Sequence, residues 1–515
     1  MPGFVKRVAV LAAVSALAAG CTDSYPVPLP PTTSFYLPSG IGVHPLNAAG
    51  TTSALVVVST NFDLRYAPVS GGTVLSVDPD ASNDTTGPVN PGQLEVLSAL
   101  NIGSFGGEVA VVEPACTTSW PSCRGKCAPL AGELTGNGAL VVTTSRYNQA
   151  IYSFLMDGSG SLSCGPGCVT QLPAQYLDPY GVGVVCTAQV KPPLATAYVT
   201  QLRAANNQGI LSRLDLGSVL AATPEAPPVF DTLLLAAPNT YTSVFGGDDV
   251  SRPSNGLLFL STQLGLTQPL RWIAPLGLPA VTPNAVTAPD VHQVDLASYL
   301  VGTLTLDMAV SNDGTRLYVA LQQIDTTALA QSGTLIPLGG LLGVFSLALD
   351  AYNQPSMDLF RAVDTCLGGG QVRVLPPRPG MRDLVAVTCD TQSSLVLYDD
   401  QSGQVIYSTG VQPATGQPLL GRGAFGLAVE LVDPSRAIVQ DFPATGTTPL
   451  CPNYTPVPPT PPSPCYNPSP CVGASQCVRL YVASFEQSFV SILELDPRNP
   501  AGIQLVKRVG AEGYQ

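Results

Sequence analysis

Short apolar runs alternate with polar turns along most of this chain. The typical unit is a β-rich run that ends in a small or polar residue, a polar turn, and a second β-rich run that often ends in Asp. Ala54–Thr60 with Gly72–Asp78 forms the first copy, and Arg479–Asp496 contains the last. Runs of this length that are rich in Val, Ile, Tyr and Thr predict β-strands joined by turns.

The unit recurs seven times, and its first runs begin near residues 55, 140, 197, 257, 317, 384 and 480. The copy at Gly256–Ala274 matches least well. A further short run precedes several copies, as in Gly107–Val112 and Leu306–Val310, and another follows some of them, as in Gln404–Ser408. Four strands in a repeat of about 40 to 60 residues are typical of β-propeller blades.

Two of the copies carry a family pattern. Val310–Ala320 and Arg479–Asp496 resemble the YVTN-type β-propeller repeat of secreted and surface bacterial proteins. The resemblance implies an all-β, seven-bladed ring of four antiparallel strands per blade over residues 36–515, with each innermost strand lining a central channel. Six to eight blades fit the repeat, since Arg436–Phe442 could belong to a degenerate eighth blade. An array of β-sandwiches would also place short strands at regular spacing.

The two longest steps of the repeat each contain a cluster of cysteines. They predict Cys-rich, disulfide-tied loop insertions near residues 113–130 and 443–478. The chain has 13 cysteines, and setting Cys21 aside leaves an even number, which suits disulfides in an oxidising compartment. Pairing between neighbours in one cluster is the first expectation. The candidate disulfide cysteines are Cys116, Cys123, Cys127, Cys164, Cys168, Cys186, Cys366, Cys389, Cys451, Cys465, Cys471 and Cys477.

Residues 1–20 predict a bacterial lipoprotein signal peptide. Lys6 and Arg7 precede the apolar run Val8–Gly20, which is too short to span a bilayer, since a span needs about 20 residues. Leu17–Cys21 resembles the lipobox of bacterial lipoproteins, although Leu usually stands three residues before the cysteine. The resemblance implies cleavage before Cys21 and its acylation, for example with palmitate. A plain signal peptide is the alternative.

Residues 21–35 are polar and rich in proline, which predicts an extended tether. Thr22, rather than Asp, follows Cys21, and in similar lipoproteins this favours the outer membrane over the inner one. We therefore expect a protein of the bacterial cell envelope, at the periplasmic face or the cell surface. Its first partner would be the lipid bilayer, through acylated Cys21.

Composition narrows the possible partners. The formal net charge is −13, and charged residues make up 11% of the chain, against roughly 25% in ordinary soluble proteins. An acidic chain without a basic run is a poor binder of nucleic acid, because phosphate contacts need clustered Lys and Arg. We expect no nucleic-acid partner.

Residues with recognisable chemistry are few. His44 and His292 are the only histidines, and we expect isolated loop residues rather than catalytic groups or metal ligands. Cys123–Cys127 and Cys164–Cys168 lack the His of a haem site and predict small disulfide loops, with zinc ligation as the alternative. Asp78–Asp84 resembles the start of a calcium loop, but it lacks the Gly and distal Glu and predicts a plain turn. We expect no metal, no cofactor and no catalytic residue.

The preferred interpretation is a non-catalytic binding or scaffold module for an envelope protein, peptide or polysaccharide. The alternative is a propeller enzyme, similar to lactonases or quinone-dependent dehydrogenases, that acts on a small extracytoplasmic substrate at the channel. The channel mouth separates the two. Three or more acid or arginine side chains around a pocket there would exclude the binding-only interpretation, whereas a mouth of Ser, Thr and aliphatic residues would exclude the enzyme.

Overall fold

The computed structural model describes residues 28–47, 50–80, 94–113, 127–134, 136–174, 176–188, 190–191, 193–204, 209–235, 240–262, 270–294, 300, 302–350, 355–410, 420–438 and 469–510. These residues form seven sheets that follow one another along the chain, and we number them blades 1 to 7. Consecutive strands of a blade pair antiparallel, as in the first sheet, and only an added fifth strand of the third sheet pairs in parallel among the described residues.

Blades 1 to 3 occupy the first half of the ring. The strands of blade 1 are Pro38–Pro45, Ser53–Ser59, Gly72–Asp78 and Glu95–Ile102. Those of blade 2 are Gly106–Val112, Ala139–Ser145, Ala150–Met156 and an outer position shared by Leu162–Ser163 and Val169–Gln171. Those of blade 3 are Tyr176–Thr187, Leu194–Ala204, Gly209–Asp215 and Phe230–Leu235, with Val286–Thr287 added in parallel.

Blades 4 to 7 complete it. The strands of blade 4 are Thr240–Phe245, Leu258–Thr262, Leu270–Ile273 and His292–Val294. Those of blade 5 are Thr303–Val310, Arg316–Ile324, Pro337–Leu349 and Pro355–Asp364. Those of blade 6 are Gly369–Val374, Leu384–Cys389, Ser394–Asp399 and Gln404–Ser408. Those of blade 7 are Ala424–Val432, Cys477–Ser484, Phe489–Leu495 and Gln504–Gly510.

The first strand of every blade packs against the first strands of both neighbouring blades, and the first strand of blade 7 packs against that of blade 1. The seven first strands therefore enclose a central channel, and the predicted seven-bladed β-propeller is confirmed. The sandwich array is wrong. No eighth blade forms from the described residues, because Pro434–Arg436 is a 3-10 turn rather than a strand.

Burial explains why the second strands of the blades do not alternate between apolar residues and exposed polar ones. Every residue of Ser53–Ser59, Ala139–Ser145 and Cys477–Ser484 is buried. Each of these strands has a neighbouring blade on both faces, so both sets of side chains enter a core. Leu55 of blade 1, for example, shares a cluster with Tyr481 of blade 7.

The Asp that ends the second β-rich run of the repeat closes a turn. Its carboxylate accepts a hydrogen bond from a backbone N–H two to four residues later, as an Asx turn requires. This geometry is found at Asp78, Asp157, Asp215, Asp399 and Asp496. At Asp215 the same contact caps the short helix Leu216–Leu220, and Asp325 caps another α-helix, Thr326–Ser332, in the same way. No helix in the described part of the chain is long and apolar enough to cross a bilayer.

Blades 1 and 7 meet without exchanging a strand, since each is built from one end of the chain. A buried ion network joins them instead. Arg479 Nη1 lies 2.8 Å from Asp80 and its Nη2 lies 2.8 Å from Glu494, while Arg436 bridges Asp80 at 2.7 Å and Glu430 at 2.8 Å. Burial alone would raise the pKa of Asp80, but the two guanidinium groups lower it overall. Asp80 therefore holds the first blade to the last, a role that the predicted plain turn did not include.

Four disulfides lie within the described residues. Cys164 pairs with Cys168, Cys471 with Cys477, Cys366 with Cys389, and Cys127 with Cys186. The first two follow the expected pairing between cluster neighbours. The expectation is wrong for Cys127, because Ala128–Leu130 packs against the first strand of blade 3 and brings Cys127 beside Cys186.

The remaining cysteines and most of the two insertions lie outside the described residues. They are Cys21, Cys116, Cys123, Cys451 and Cys465.

Candidate functional site

Every first strand carries a β-bulge at the same level of the channel. The register of blade 2 shifts between Gly106 and Val109, for example, and that of blade 5 shifts between Thr305 and Met308. A bulge leaves residues unpaired and re-aims their side chains. We call the following side chains, one from the bulge of each blade, the bulge ring: Ser39, Glu108, Tyr180, Tyr241, Asp307, Gln371 and Phe425.

Hydroxyl groups of one blade hold the bulge of the next. Thr144, Thr200, Ser261 and Thr388 donate to the backbone carbonyls of Tyr180, Tyr241, Leu306 and Phe425, at 3.1, 2.6, 3.3 and 2.6 Å. Thr144, Ser261 and Thr388 stand one residue before the end of a second strand, where the repeat has its small or polar residue. Thr200 stands four residues before the end of Leu194–Ala204. These hydroxyl groups therefore fix four of the seven bulges.

The mouth of the channel holds a cavity of about 850 Å³, which we call the mouth pocket. It opens on the face where the first strands begin and where the turns between second and third strands lie. Its aromatic walls are Phe62, Tyr180, Tyr241, Phe425 and Phe485. Its charged side chains are Arg146, Asp178, Asp390, Arg422 and Glu486. Five acid or arginine side chains therefore line this pocket, which is more than the three at which the sequence argument turns towards an enzyme.

These charges are distributed unevenly around the mouth. Arg146 Nε lies 3.4 Å from Asp178 Oδ1, so this pair is internally compensated. Asp390 and Glu486 lie on the corresponding turns of blades 6 and 7. Burial raises the pKa of Asp390, and the Glu486 carboxylate adds to the rise against the hydrogen bonds from Thr391. One side of the mouth therefore carries two carboxyls that repel each other.

A second, smaller cavity of about 240 Å³ lies deeper in the channel, and we call it the inner cavity. Glu108, Asp307 and Arg373 line it, whereas Tyr180 and Tyr241 line the mouth pocket. The two tyrosine rings stack at 4.7 Å, and their hydroxyl groups are 3.2 Å apart. The cavities share no lining residue, and the bulge ring supplies side chains to both, so the ring forms the boundary between them.

Glu108 and Asp307 have different environments within the inner cavity. Burial, and then the Asp307 carboxylate, raise the pKa of Glu108 to about 8, while Arg373 and a 3.4 Å hydrogen bond from Gln371 Nε2 oppose the rise. Asp307 accepts hydrogen bonds from Arg373 Nη1 at 2.8 Å and from the Val372 N–H at 2.9 Å. Burial and the neighbouring Asp307 carboxylate therefore favour the protonated form of Glu108, which lies beside an ion pair. Two carboxyls in such contrasting surroundings have the arrangement that acid–base sites use.

The histidines lie away from both cavities. His44 is a buried strand residue rather than a loop residue, with Nδ1 2.9 Å from Glu113 Oε1 and Nε2 2.7 Å from the Asn137 carbonyl. His292 lies on the outer strand of blade 4 and stacks on Trp272 at 5.3 Å. The expected loop placement is therefore wrong for both histidines, because His44 joins blade 1 to blade 2 and His292 is part of the outer strand of blade 4.

One group of potential metal ligands occurs among the residues that the structure describes, namely Cys471, Cys477 and Glu494. The two cysteines form a disulfide and offer no thiolate. Glu494 bonds to Arg479. This cluster therefore belongs to the junction of blades 1 and 7. Residues 81–84 of the calcium-like turn lie outside the described residues.

None of the residues that line the two cavities is predicted as a site residue from the sequence. A usable signal was present in two of them, since Glu108 and Asp307 each interrupt an otherwise apolar strand. The strands Thr240–Phe245 and Gly369–Val374 were not recognised, so Tyr241 and Gln371 could not be placed.

The seven sheets and the closed ring of first strands define the class of this protein, a seven-bladed β-propeller. No family model and no curated protein sequence matches the chain. Hydrazine synthase from Kuenenia stuttgartiensis is a similar solved structure, with a TM-score of 0.47, 10% identity, and coverage of 90% of this chain and 97% of that chain. The Dos1 propeller has a TM-score of 0.42 and 9% identity, covering 95% and 88%. Hsv2 from Kluyveromyces lactis has a TM-score of 0.36 and 10% identity, covering 92% and 98%. Likeness at this level carries no conclusion about function.

Proposed function

We propose that the chain is an enzyme of the acid–base type that acts on a small extracytoplasmic molecule in the channel, with Glu108 as the proton-exchanging group. The observation that carries the proposal is a buried carboxyl with a raised pKa, which lines the inner cavity across the bulge ring from a charged pocket of small-molecule size. Pockets of about 300 to 1,000 Å³ suit small ligands. A group whose pKa lies near the working pH transfers protons efficiently in both directions.

The neighbours of Glu108 support this role. The Arg373 guanidinium keeps Asp307 paired, so the negative charge of the inner cavity stays at one fixed place. Gln371 bonds to Glu108 through Nε2, while its Oε1 accepts from the Leu427 N–H at 2.7 Å and from Arg373 at 3.1 Å. This amide is held from two sides and orients the Glu108 carboxyl. Strongly perturbed carboxyls in clefts are candidates for catalysis for this physical reason.

Glu108→Gln tests the proposal, because glutamine keeps the shape and removes the exchangeable acid. The full chain is incubated with pools of small polar metabolites, and their conversion is followed by proton NMR. We expect a compound that the natural protein converts and that the variant converts roughly 100-fold more slowly or not at all. Glu225→Gln, at an exposed glutamate outside the channel, is the matched control and should convert at the natural rate. Equal conversion by all three proteins would refute the role of Glu108.

We also propose that the chain is exported and held to the envelope by lipid on Cys21, at the outer rather than the inner membrane. Cys21 lies outside the described residues, and the support is its lipobox-like context together with the four disulfides, which suit an oxidising compartment. Metabolic labelling with a palmitate analogue should mark the natural chain and not Cys21→Ala. Equal labelling of both would contradict the anchor.

A further inference from the structure

The mouth pocket combines aromatic walls with an excess of acid. Five aromatic rings line it, and three carboxyls face two guanidinium groups. The faces of aromatic rings attract cations, and clusters of rings are the usual way in which proteins recognise quaternary or methylated ammonium groups. An anionic ligand would meet more carboxyls than arginines. The composition of the walls therefore favours a positively charged organic group.

We infer that the mouth pocket selects an alkylated ammonium group as the charged part of its ligand. The inference rests on the proposed function, since it names the class of molecule that the same channel would receive. It makes no use of the acid–base role of Glu108, so the two can fail separately.

The positions of the rings support the inference. Tyr180 and Tyr241 stack with an interplanar angle of 10° and form one wall. Phe62 packs edge-on against Phe485 at 5.2 Å and forms another, and Phe425 of the bulge ring lies at the same pocket. Neighbouring aromatic rings hold one another in place, so little side-chain entropy remains to be lost on binding.

The positions of the charges support it as well. Asp178 is compensated by Arg146, whereas Asp390 and Glu486 repel each other across adjacent turns. A cation bound between these turns would relieve the repulsion. Arg422 lies on the same side of the mouth, just before the first strand of blade 7, and would accept the anionic end of a zwitterion. The alkylated ammonium group therefore belongs near Glu486 and Phe485.

Choline and its uncharged isostere 3,3-dimethylbutan-1-ol test the inference, because the two probes differ in charge and hardly in shape. Binding to the full chain is measured by isothermal titration calorimetry. We expect choline to bind at least tenfold more tightly than the isostere. Equal binding of the two probes, or binding of neither, would overturn the inference.

Variants locate the site. Glu486→Gln and Phe485→Leu should each weaken choline binding by roughly fivefold to tenfold, since each removes one source of cation attraction. Glu225→Gln, at an exposed glutamate outside the channel, is the matched control and should leave choline binding unchanged. Choline binding of equal strength in the natural protein and in all three variants would contradict the assignment.

Two further outcomes separate this inference from the enzyme proposal. Binding of the neutral isostere as tightly as choline would remove the ammonium preference and leave the small-molecule pocket. Selective choline binding with unchanged metabolite conversion by Glu108→Gln would keep the preference and remove the catalytic role. Dihexanoyl phosphatidylcholine, titrated separately, distinguishes the source of the ammonium group. If both this lipid and choline bind, the group belongs to a lipid headgroup; if choline binds and the lipid does not, it belongs to a free solute. Both results support the ammonium assignment.

Discussion

Arg479→Met tests how the ring is closed. Arg479 is fully buried and pairs with Glu494, also fully buried, and with Asp80 of the first blade. Methionine fills a similar volume but leaves the Glu494 carboxylate buried without its cation. Removing one partner of a buried ion pair costs about 3 to 5 kcal/mol. Unfolding entropy for a domain on the order of 400 residues is roughly 0.8 kcal/mol per kelvin. The expected fall in Tm is therefore about 5 °C.

The position of the destabilised strands distinguishes loss of ring closure from general destabilisation. Thermal unfolding followed by circular dichroism gives the Tm, and hydrogen exchange followed by mass spectrometry shows which strands exchange faster. Exchange in Arg479→Met should rise in Pro38–Pro45 and Ala424–Val432, the first strands of the two blades that the network joins. The same measurement on the natural protein sets the baseline.

Arg213→Met is the matched control, because Arg213 is equally buried and its Nε donates to Asp231 Oδ1 at 2.7 Å within blade 3. It should lower the Tm by a similar amount, with faster exchange confined to blade 3. The reasoning is refuted if Arg479→Met changes the Tm by less than about 1 °C, or if its faster exchange avoids the junction of blades 1 and 7.

Three more variants test the channel and the loops. Glu108→Gln should be more stable than the natural protein at pH 8 to 9, and the difference, a few kcal/mol at most, should shrink towards pH 5 in urea titrations. The pKa of Glu108 is raised to about 8 in the folded state, so between about pH 4.5 and 8 the folded state binds more protons than the unfolded state. The free energy of unfolding of the natural protein therefore falls as the pH rises through that range. Gly107→Ala should unfold at least about 2 kcal/mol more easily, because a Cβ there would overlap the Tyr180 carbonyl of the next blade; unchanged urea unfolding would contradict this packing. Cys186→Ser removes the disulfide to Cys127, which closes a separation of 59 residues, and should lower the free energy of unfolding by about 4 kcal/mol. Urea unfolding checks this: the difference between natural protein and variant should be present without reductant and should disappear when reductant opens the disulfide of the natural protein.

The repeat architecture could be predicted because its signals are local. Strands such as Arg316–Ile324 and Cys477–Ser484 combine β-branched and aromatic residues and are buried over most or all of their length. The spacing of the repeat allows six to eight blades, and the resemblance to the YVTN-type repeat implies seven. The Asp at the end of the third strand and the hydroxyl at the end of the second were visible as patterns before their hydrogen bonds were known.

The site could not be predicted in the same way, because it depends on a shift of register. Whether Glu108 faces the channel or a neighbouring blade is decided by a bulge, and one skipped residue reverses the side on which a strand side chain lies. The inner strand Thr240–Phe245 has polar residues at half its positions and lacks the apolar run that marks the others. Glu108 and its hydrogen-bond partner Gln371 are also 263 residues apart in the chain, and a single sequence does not predict a contact between residues so far apart.

The start of blade 1 has a geometric consequence for the proposed anchor on Cys21. Phe35 is buried beside Gly510, and Leu37 donates to Ser488 on a turn whose neighbours line the mouth pocket, so the chain enters the ring on its mouth face. Fourteen residues separate Cys21 from Tyr36, and a chain of that length reaches about 50 Å when fully extended. A lipid on Cys21 would therefore keep the open end of the channel within about 50 Å of the bilayer surface. Molecules that leave or enter that membrane would then meet the pocket before they diffuse into the surrounding compartment.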